Sequence, residues 1–347
     1  MNNQQVQEIA RECNNKIPER YIRKQHEEYG GRHVTNTNAS SLPTAEIPVV
    51  EFSLLTSSSQ VELDKLKSAV TTWGCFQVIN HGIDSSFLDK VHEITRLFFK
   101  VPAEEKRKCL REENDVEGYG NDTVYFDQQT IDWTDRLYLT VLPHDQRKLE
   151  FWPQSPSDFR EVLDEYISKI DMMNEIVQKA LARSLNLEED CFLKQYGRGK
   201  MEARFSYYPP CPWPAKVLGI KPHADATVIT FLLQDKEVEG LEILKDDQWF
   251  RVPIVPDALT INFGDEIEIM SNGIFKSPVH RVSVNSEKER MTLALFCMPQ
   301  TETNIVVPVE ELVTDETPRL YKDATYTLDF YFENYQHHRR PIDTYKI

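Results

Sequence analysis

Between residues 205 and 298 the chain is cut into eight short apolar runs, at 205–208, 228–233, 241–244, 249–252, 259–263, 267–270, 279–284 and 291–298. Runs this short, each closed by a turn signal, can bury their apolar side chains only against one another. They predict an antiparallel sandwich or jelly roll. Ahead of them the period is helical. A leading helix is expected from Val6 to about Cys13, then a polar arm containing Gly30-Gly31 and Pro43. A short strand is expected at residues 47–50, and Ser57, Ser58 and Ser59 can cap a helix whose apolar positions run from Val61 to Trp73, stopped by Gly74. Another strand, Phe76 to Ile79, precedes a helix over 85–100 that turns Phe87, Val91, Ile94, Leu97 and Phe98 inwards. The longest helical pattern, 158–186, repeats apolar residues at three and four from Phe159 to Leu181. The predicted class is therefore α+β, a double-stranded β-helix (jelly roll) core with surrounding helices. Its expected division is an arm at 1–46, an N-terminal helical and β region at 47–198, the core at 199–300, and a C-terminal segment at 301–347 covering a pocket.

Composition narrows the partners. With 56 acidic against 40 basic residues the net charge is −16, which repels phosphate backbones and anionic lipid alike. No nucleic acid, no membrane and a monomer acting on a small molecule are the expectations. No apolar run approaches the roughly 18 residues that span a bilayer, and no apolar segment follows the polar N-terminus to suggest a secretory signal. Cys13, Cys75, Cys109, Cys191, Cys211 and Cys297 are far apart with no CxxC pair, as befits free thiols in a reducing cytoplasm.

Chemistry concentrates on His223, Asp225 and His280. The first two stand two apart and are read at the start of a strand, where a period of two points both to one face. His280 opens another strand, and in a jelly roll strands so distant in sequence can be neighbours. Two imidazoles and one carboxylate leave open positions on a metal, which is the facial triad of non-haem Fe(II) oxygenases. Hydrogen-bonded core histidines or a structural zinc site are the competing readings, though the latter wants a fourth ligand. Arg290 and Thr292 add a guanidinium and a hydroxyl on one strand face, suited to gripping a carboxylate. A surface arginine is the alternative, but Arg290 opens an apolar strand where a charge needs a partner. One divalent metal, one aspartate and a dianionic 2-oxoglutarate leave a single negative charge, which Arg290 cancels.

Further motifs surround these residues, in order: Pro18-Glu19-Arg20-Tyr21, Ile47-Pro48-Val49-Val50, Trp73-Gly74-Cys75-Phe76 through Asn80-His81-Gly82, Tyr207-Tyr208-Pro209-Pro210-Cys211-Pro212, Asn262-Phe263-Gly264-Asp265 and His280-Arg281-Val282. From about Ile17 to its end the chain resembles the plant 2-oxoglutarate- and Fe(II)-dependent dioxygenases of specialised metabolism, which include anthocyanidin synthase, flavonol synthase and alkaloid O-demethylases. The resemblance implies Fe(II), 2-oxoglutarate as co-substrate, O₂ and stimulation by ascorbate. It implies hydroxylation or O-demethylation of a small aromatic or apolar metabolite such as a flavonoid or alkaloid. It places Tyr208 and Ser206 beside Arg290 and Thr292 around 2-oxoglutarate, although Ser206 and Thr292 stand where the family usually has Asn and Ser. By position in the pattern, Arg136, Tyr138, Arg204, Phe296 and Met298 face the substrate, joined by Phe126. Ordinary packing, and ion pairs for the two arginines, are the alternatives. Phe330, Tyr331, Phe332 and Tyr335 either cover the pocket mouth or pack as a helix end. His81 is read as part of a turn without catalytic duty, and Asp265 as a turn ahead of a strand at 266–270. A 2-oxoglutarate-independent ascorbate-type iron oxidase and a non-catalytic binding protein on the same fold are the rival functions.

Overall fold

Two sheets face each other, built from strands of both halves of the chain, and the site lies between them. The larger has eight strands in the order Val49–Glu51, Cys75–Ile79, Leu259–Phe263, Ile229–Leu233, Arg290–Met298, Lys200–Tyr208, Asp135–Leu142 and Gly118–Gly120. The smaller has four: Gln248–Arg251, Leu241–Lys245, His280–Ser283 and Leu218–His223. All pairings in both are antiparallel except that of the first two strands of the large sheet. This is the jelly-roll core with helices outside. The computed structural model describes residues 5–12, 16–24, 28–29, 32–33, 41–57, 59–113, 115–121, 124–126, 128–300 and 305–347. Cys13, Gly30, Gly31 and Ser58 lie outside them.

The helical expectations rest on apolar spacing, and the spacing is what packs. The 26-residue helix Phe159–Ser184 buries Phe159, Leu163, Tyr166, Ile170, Val177 and Leu181 completely. It lies against the helices Gln60–Thr72 and Ser85–Lys100. In the latter, Leu88 and Phe99 go deeper than the expected Phe87 and Leu97, which are half-buried. The extra helix Phe52–Thr56 was not foreseen, because five residues are too few to show a period. No helix among the described residues is long and apolar enough to cross a membrane.

Two expectations fail near the site. The apolar run at 267–270 is not a strand: Asp265–Met270 is a helix whose every residue is buried. Its acidic first turn, Asp265, Glu266 and Glu268, suits the positive end of a helix, although the alternation over 266–269 is that of a strand. Asp265 therefore starts that helix rather than turning into a strand. Conversely, the strand Leu218–His223 was missed because Gly219, Lys221 and Pro222 break its apolar pattern. It is an edge strand, where a proline's missing N–H costs no ladder bond. Gly219 is required there, since a Cβ would stand 2.6 Å from Cδ1 of Tyr208.

The N-terminal helix Val6–Glu12 is tied to this frame by one buried carboxylate. Asp135 is fully buried, and its two oxygens accept the backbone N–H groups of Val6 and Gln7, each at 2.8 Å. Asp135→Ala leaves both donors unpaired, at about 1–3 kcal/mol each. We expect the helix to come free, seen as faster proteolytic cleavage within residues 1–24 while the sheets keep their thermal transition. Unchanged cleavage would show that apolar packing and the bonds of the Gln7 side chain to Phe99 and Lys106 suffice to hold the segment.

Candidate metal centre

Strand pairing brings the metal ligands together. His280 is the register partner of His223 across the small sheet, and their ring centroids are 4.1 Å apart. Asp225 is not on the same strand as His223, contrary to the sequence reading. His223 ends its strand, and Asp225 lies in the loop that follows. The loop achieves the same convergence: one donor atom from each of His223, Asp225 and His280 lies within 4.8 Å of the others, and all three residues are buried.

Each ligand is oriented by a second partner. Nδ1 of His223 meets the Lys221 carbonyl at 2.8 Å, and Nδ1 of His280 meets the Pro278 carbonyl at 3.1 Å. A carbonyl only accepts, so both Nδ1 atoms carry the proton and both Nε2 atoms present lone pairs. These Nε2 atoms lie 3.5 and 3.7 Å from Oδ1 of Asp225. The other oxygen, Oδ2, accepts from Thr230 Oγ1 and Asn262 Nδ2, both at 2.7 Å. Burial, aided by His280, pushes His223 down to about 3, which keeps it neutral. Burial alone would raise Asp225, but the two imidazoles and its hydrogen bonds hold it below its ordinary value. A neutral His223 beside an ionised Asp225 is the state a divalent cation requires of them. The donor set therefore fits Fe(II).

The four residues expected around 2-oxoglutarate form one patch. In the register of the two long strands Arg290 stands opposite Tyr208, and Thr292 opposite Ser206. All four line a cavity with His223, Asp225 and His280. Arg290 is 2% exposed. Its Nε donates to the Val238 carbonyl at 3.1 Å, while Nη1 and Nη2 have no hydrogen-bond partner among the described residues. Its guanidinium lies 5.3 Å from the centre of the Tyr208 ring. Burial lowers the Arg290 pKa, with Tyr208 and Asp235 acting against it. A buried guanidinium with two orphaned nitrogens is the cradle a carboxylate would complete.

Tyr138, Arg204, Phe296 and Met298 line a second cavity that also reaches His223 and Asp225. Tyr138 and Phe296 stack with centroids 6.2 Å apart and planes at 22°. Arg204 donates through Nε to Ser206 at 3.2 Å and borders both cavities. Arg136 lies outside both linings. Its Nη1 donates to the Val116 carbonyl at 2.7 Å, and its guanidinium centre is 5.4 Å from the Tyr138 ring centre. Phe126 packs on His337 with centroids 4.9 Å apart and is in neither lining. From the helix Leu328–Gln336, Tyr331, Phe332 and Tyr335 close the second cavity, and Tyr335 meets His223 edge-on at 5.5 Å. Phe330 instead packs on Tyr326 and Tyr345. His81 bridges the Asp257 carbonyl and the Ile83 N–H, as a turn residue should.

Sequence reasoning missed several contributors. Thr230 and Asn262 carry no motif of their own, though Asn262 falls within a motif quoted for the family. Leu328 lines the second cavity beside the aromatics that were named. Tyr29, from the stretch read as an arm, is buried and its hydroxyl accepts the Ala224 N–H at 3.1 Å.

Comparison with known proteins agrees with this geometry. Residues 190–299 match the 2OG-Fe(II) oxygenase superfamily, and residues 47–155 match the family described as "non-haem dioxygenase in morphine synthesis N-terminal". The chain is 39% identical over 326 residues to codeine O-demethylase of Papaver somniferum, covering 92% of this chain and 89% of that one. It is 36% identical to oxoglutarate-dependent flavonoid 7-O-demethylase 1 of Ocimum basilicum, covering 92% and 84%. The crystal structure of JOX2 in complex with 2OG, Fe and JA is similar at a TM-score of 0.85 and 32% identity, over 99% of this chain and 98% of that one. Read with the His223–Asp225–His280 geometry, these likenesses mean that the chain belongs to the plant 2-oxoglutarate- and Fe(II)-dependent dioxygenases and uses both cofactors to oxidise a small metabolite.

Proposed function

We propose that this enzyme hydroxylates or O-demethylates a ring-bearing, largely apolar metabolite, in the range that spans flavonoids and alkaloids. His223, Asp225 and His280 hold the iron. Arg290 and Thr292 grip the distal carboxylate of 2-oxoglutarate, with Tyr208 and Ser206 beside them. The observation that carries this assignment is the orphaned pair of Arg290 nitrogens in the same cavity as the metal ligands. When bound, the iron and 2-oxoglutarate supply the oxidising equivalents from O₂, with succinate and carbon dioxide released.

The chain's own part is placement. Tyr138 and Phe296 offer parallel aromatic faces against which a flat substrate can rest, and each such buried ring contributes about 1.5–3 kcal/mol. Met298 and Phe332 extend that apolar surface, and Arg204 adds a polar limit towards the co-substrate side. Tyr331 and Tyr335 shut the cavity from above, which keeps water from the reacting carbon. Arg136 backs this wall through its contact with Tyr138, and Phe126 packs on His337 at the end of the closing helix. Oxidation of a methoxyl carbon gives a hemiacetal that collapses to formaldehyde, so the position of the methyl decides between the two outcomes. A cytoplasmic location belongs to the same reading, supported by the five free cysteines among the described residues, four of them buried. The same reading divides the chain at residues 46, 198 and 300.

The test has two stages. Under anaerobic conditions the protein with Fe(II) and 2-oxoglutarate should show a visible metal-to-ligand charge-transfer band. In air, incubation with fractions of plant extract should yield products that gain one oxygen or lose one CH₂, with stoichiometric succinate. Product without 2-oxoglutarate would move the chain to the ascorbate-type oxidases. A ligand bound without oxygen uptake would make it a binding protein.

A further inference from the structure

Beyond the second cavity lies a larger one of about 580 Å³. The two share Tyr138, Ala226, Met298, Leu328 and Tyr331 as walls, so the larger adjoins the metal pocket as its antechamber. Its charges are unbalanced. Lys148 pairs with Asp115 and stands 3.9 Å from Glu117, and Lys200 pairs with Glu202. Both lysines of the lining are thus engaged, which leaves Glu266 and the exposed Asp329 uncompensated.

Glu266 is the unusual member. It is 5% exposed, it lines the antechamber, and its Oε2 is buried with no hydrogen-bond partner among the described residues. The helix that carries it begins beside the metal loop: the Asp265 N–H donates to the Asp225 carbonyl at 2.7 Å, and the Glu266 N–H to that of Thr227 at 3.2 Å. An unpaired buried carboxyl is costly unless something satisfies it. Burial and the neighbouring Asp265 push its pKa well up, a penalty that a cationic donor would relieve. Tyr326 and Tyr331 border the same space, and aromatic faces attract ammonium groups.

We propose that the substrate carries a basic amine, protonated at neutral pH, and that Glu266 receives this ammonium in the antechamber while the apolar rings reach towards the iron. The proposal rests on the reading of this site as the substrate pocket of a 2-oxoglutarate-dependent oxygenase. Glu266 then sets specificity: it selects amines over neutral and anionic ring compounds of the same shape.

The test is calorimetric titration of the full chain, loaded with Fe(II) and 2-oxoglutarate and kept anaerobic so that nothing turns over. The probes are para-methoxyphenethyl dimethylamine, its neutral isostere with CH replacing nitrogen, para-methoxyphenylpropionate, and the fused two-ring homologues of each. The wild-type protein should favour amine over isostere by about tenfold or more, as expected for a charge-assisted hydrogen bond. Glu266→Gln should reduce that preference to about twofold by weakening the amine alone, and Glu266→Asp should keep a clear part of it. Equal affinities in the wild type, no measurable amine binding, tightest binding of the carboxylate, or full preference retained in Glu266→Gln would each overturn the proposal. The wild-type charge-transfer band separates the two levels of argument. Its absence removes the co-substrate reading, whereas its presence without amine preference removes only this one.

Discussion

Replacing His280 by alanine should abolish the charge-transfer band and reduce iron affinity by far more than any change outside the ligand set. The donor atoms of His223, Asp225 and His280 lie within 4.8 Å of one another, and loss of one leaves a two-point site. Thr230→Val or Asn262→Ala provides the scale. Each removes one of the hydrogen bonds that orient Asp225, and losing an orienting partner costs roughly 10–100-fold in metal affinity. His280→Ala should fall well below both. The folding control is a thermal melt without metal. His280 is itself a buried residue in the central pairing of the small sheet, yet the adjacent Arg281–Glu242 ion pair, at 2.6 Å, remains. Anaerobic Fe(II) titration with and without 2-oxoglutarate makes the measurement. A band of wild-type strength in His280→Ala would mean that another group completes the site.

That centre was legible in the sequence because its residues are rigidly spaced and chemically unusual, while the walls around it were less so. Arg290 and Thr292 could be placed on one face by a period of two, and the register then set them opposite Tyr208 and Ser206. The helix Asp265–Met270 was misread because Glu266, Ile267, Glu268 and Ile269 alternate polar and apolar residues as a strand does, and six residues are too few to show a helical period. The strand Leu218–His223 was missed because one edge strand tolerates a glycine, a lysine and a proline that spoil an apolar run. Lys221 is informative here. It is almost fully buried and lies 3.3 Å from Asp132, with its amine also donating to Gln336 at 3.0 Å. A buried charge set by partners more than eighty residues away leaves no local pattern to read. The same holds for Glu266, whose interest comes from an Oε2 without a partner among the described residues rather than from any motif.

Arg290→Leu should raise the KM for 2-oxoglutarate beyond easy saturation, while Thr292→Val raises it moderately and Thr292→Ser leaves it near wild type. Arg290 offers two buried nitrogens without partners among the described residues, and removing the guanidinium proposed to face the dianion resembles breaking a buried ion pair, about 3–5 kcal/mol. At about 1.4 kcal/mol per factor of ten, that is roughly two to three and a half orders of magnitude. Thr292→Val keeps shape but loses one hydrogen bond to a charged group, about 1.5–3 kcal/mol. Serine keeps that hydroxyl. The stability of the ligand-free protein should move the other way from binding. An unpaired guanidinium in a dry cavity is unfavourable, so Arg290→Leu should melt no lower than wild type without 2-oxoglutarate, despite losing the bond to Val238. Added 2-oxoglutarate should then stabilise wild type and Thr292→Ser but leave Arg290→Leu unmoved. Paired melts and 2-oxoglutarate saturation curves give both readings. If Arg290→Leu saturates like wild type, the carboxylate is held elsewhere; if it instead unfolds without ligand, Arg290 serves the fold through its bond to Val238 and its contact with Tyr208.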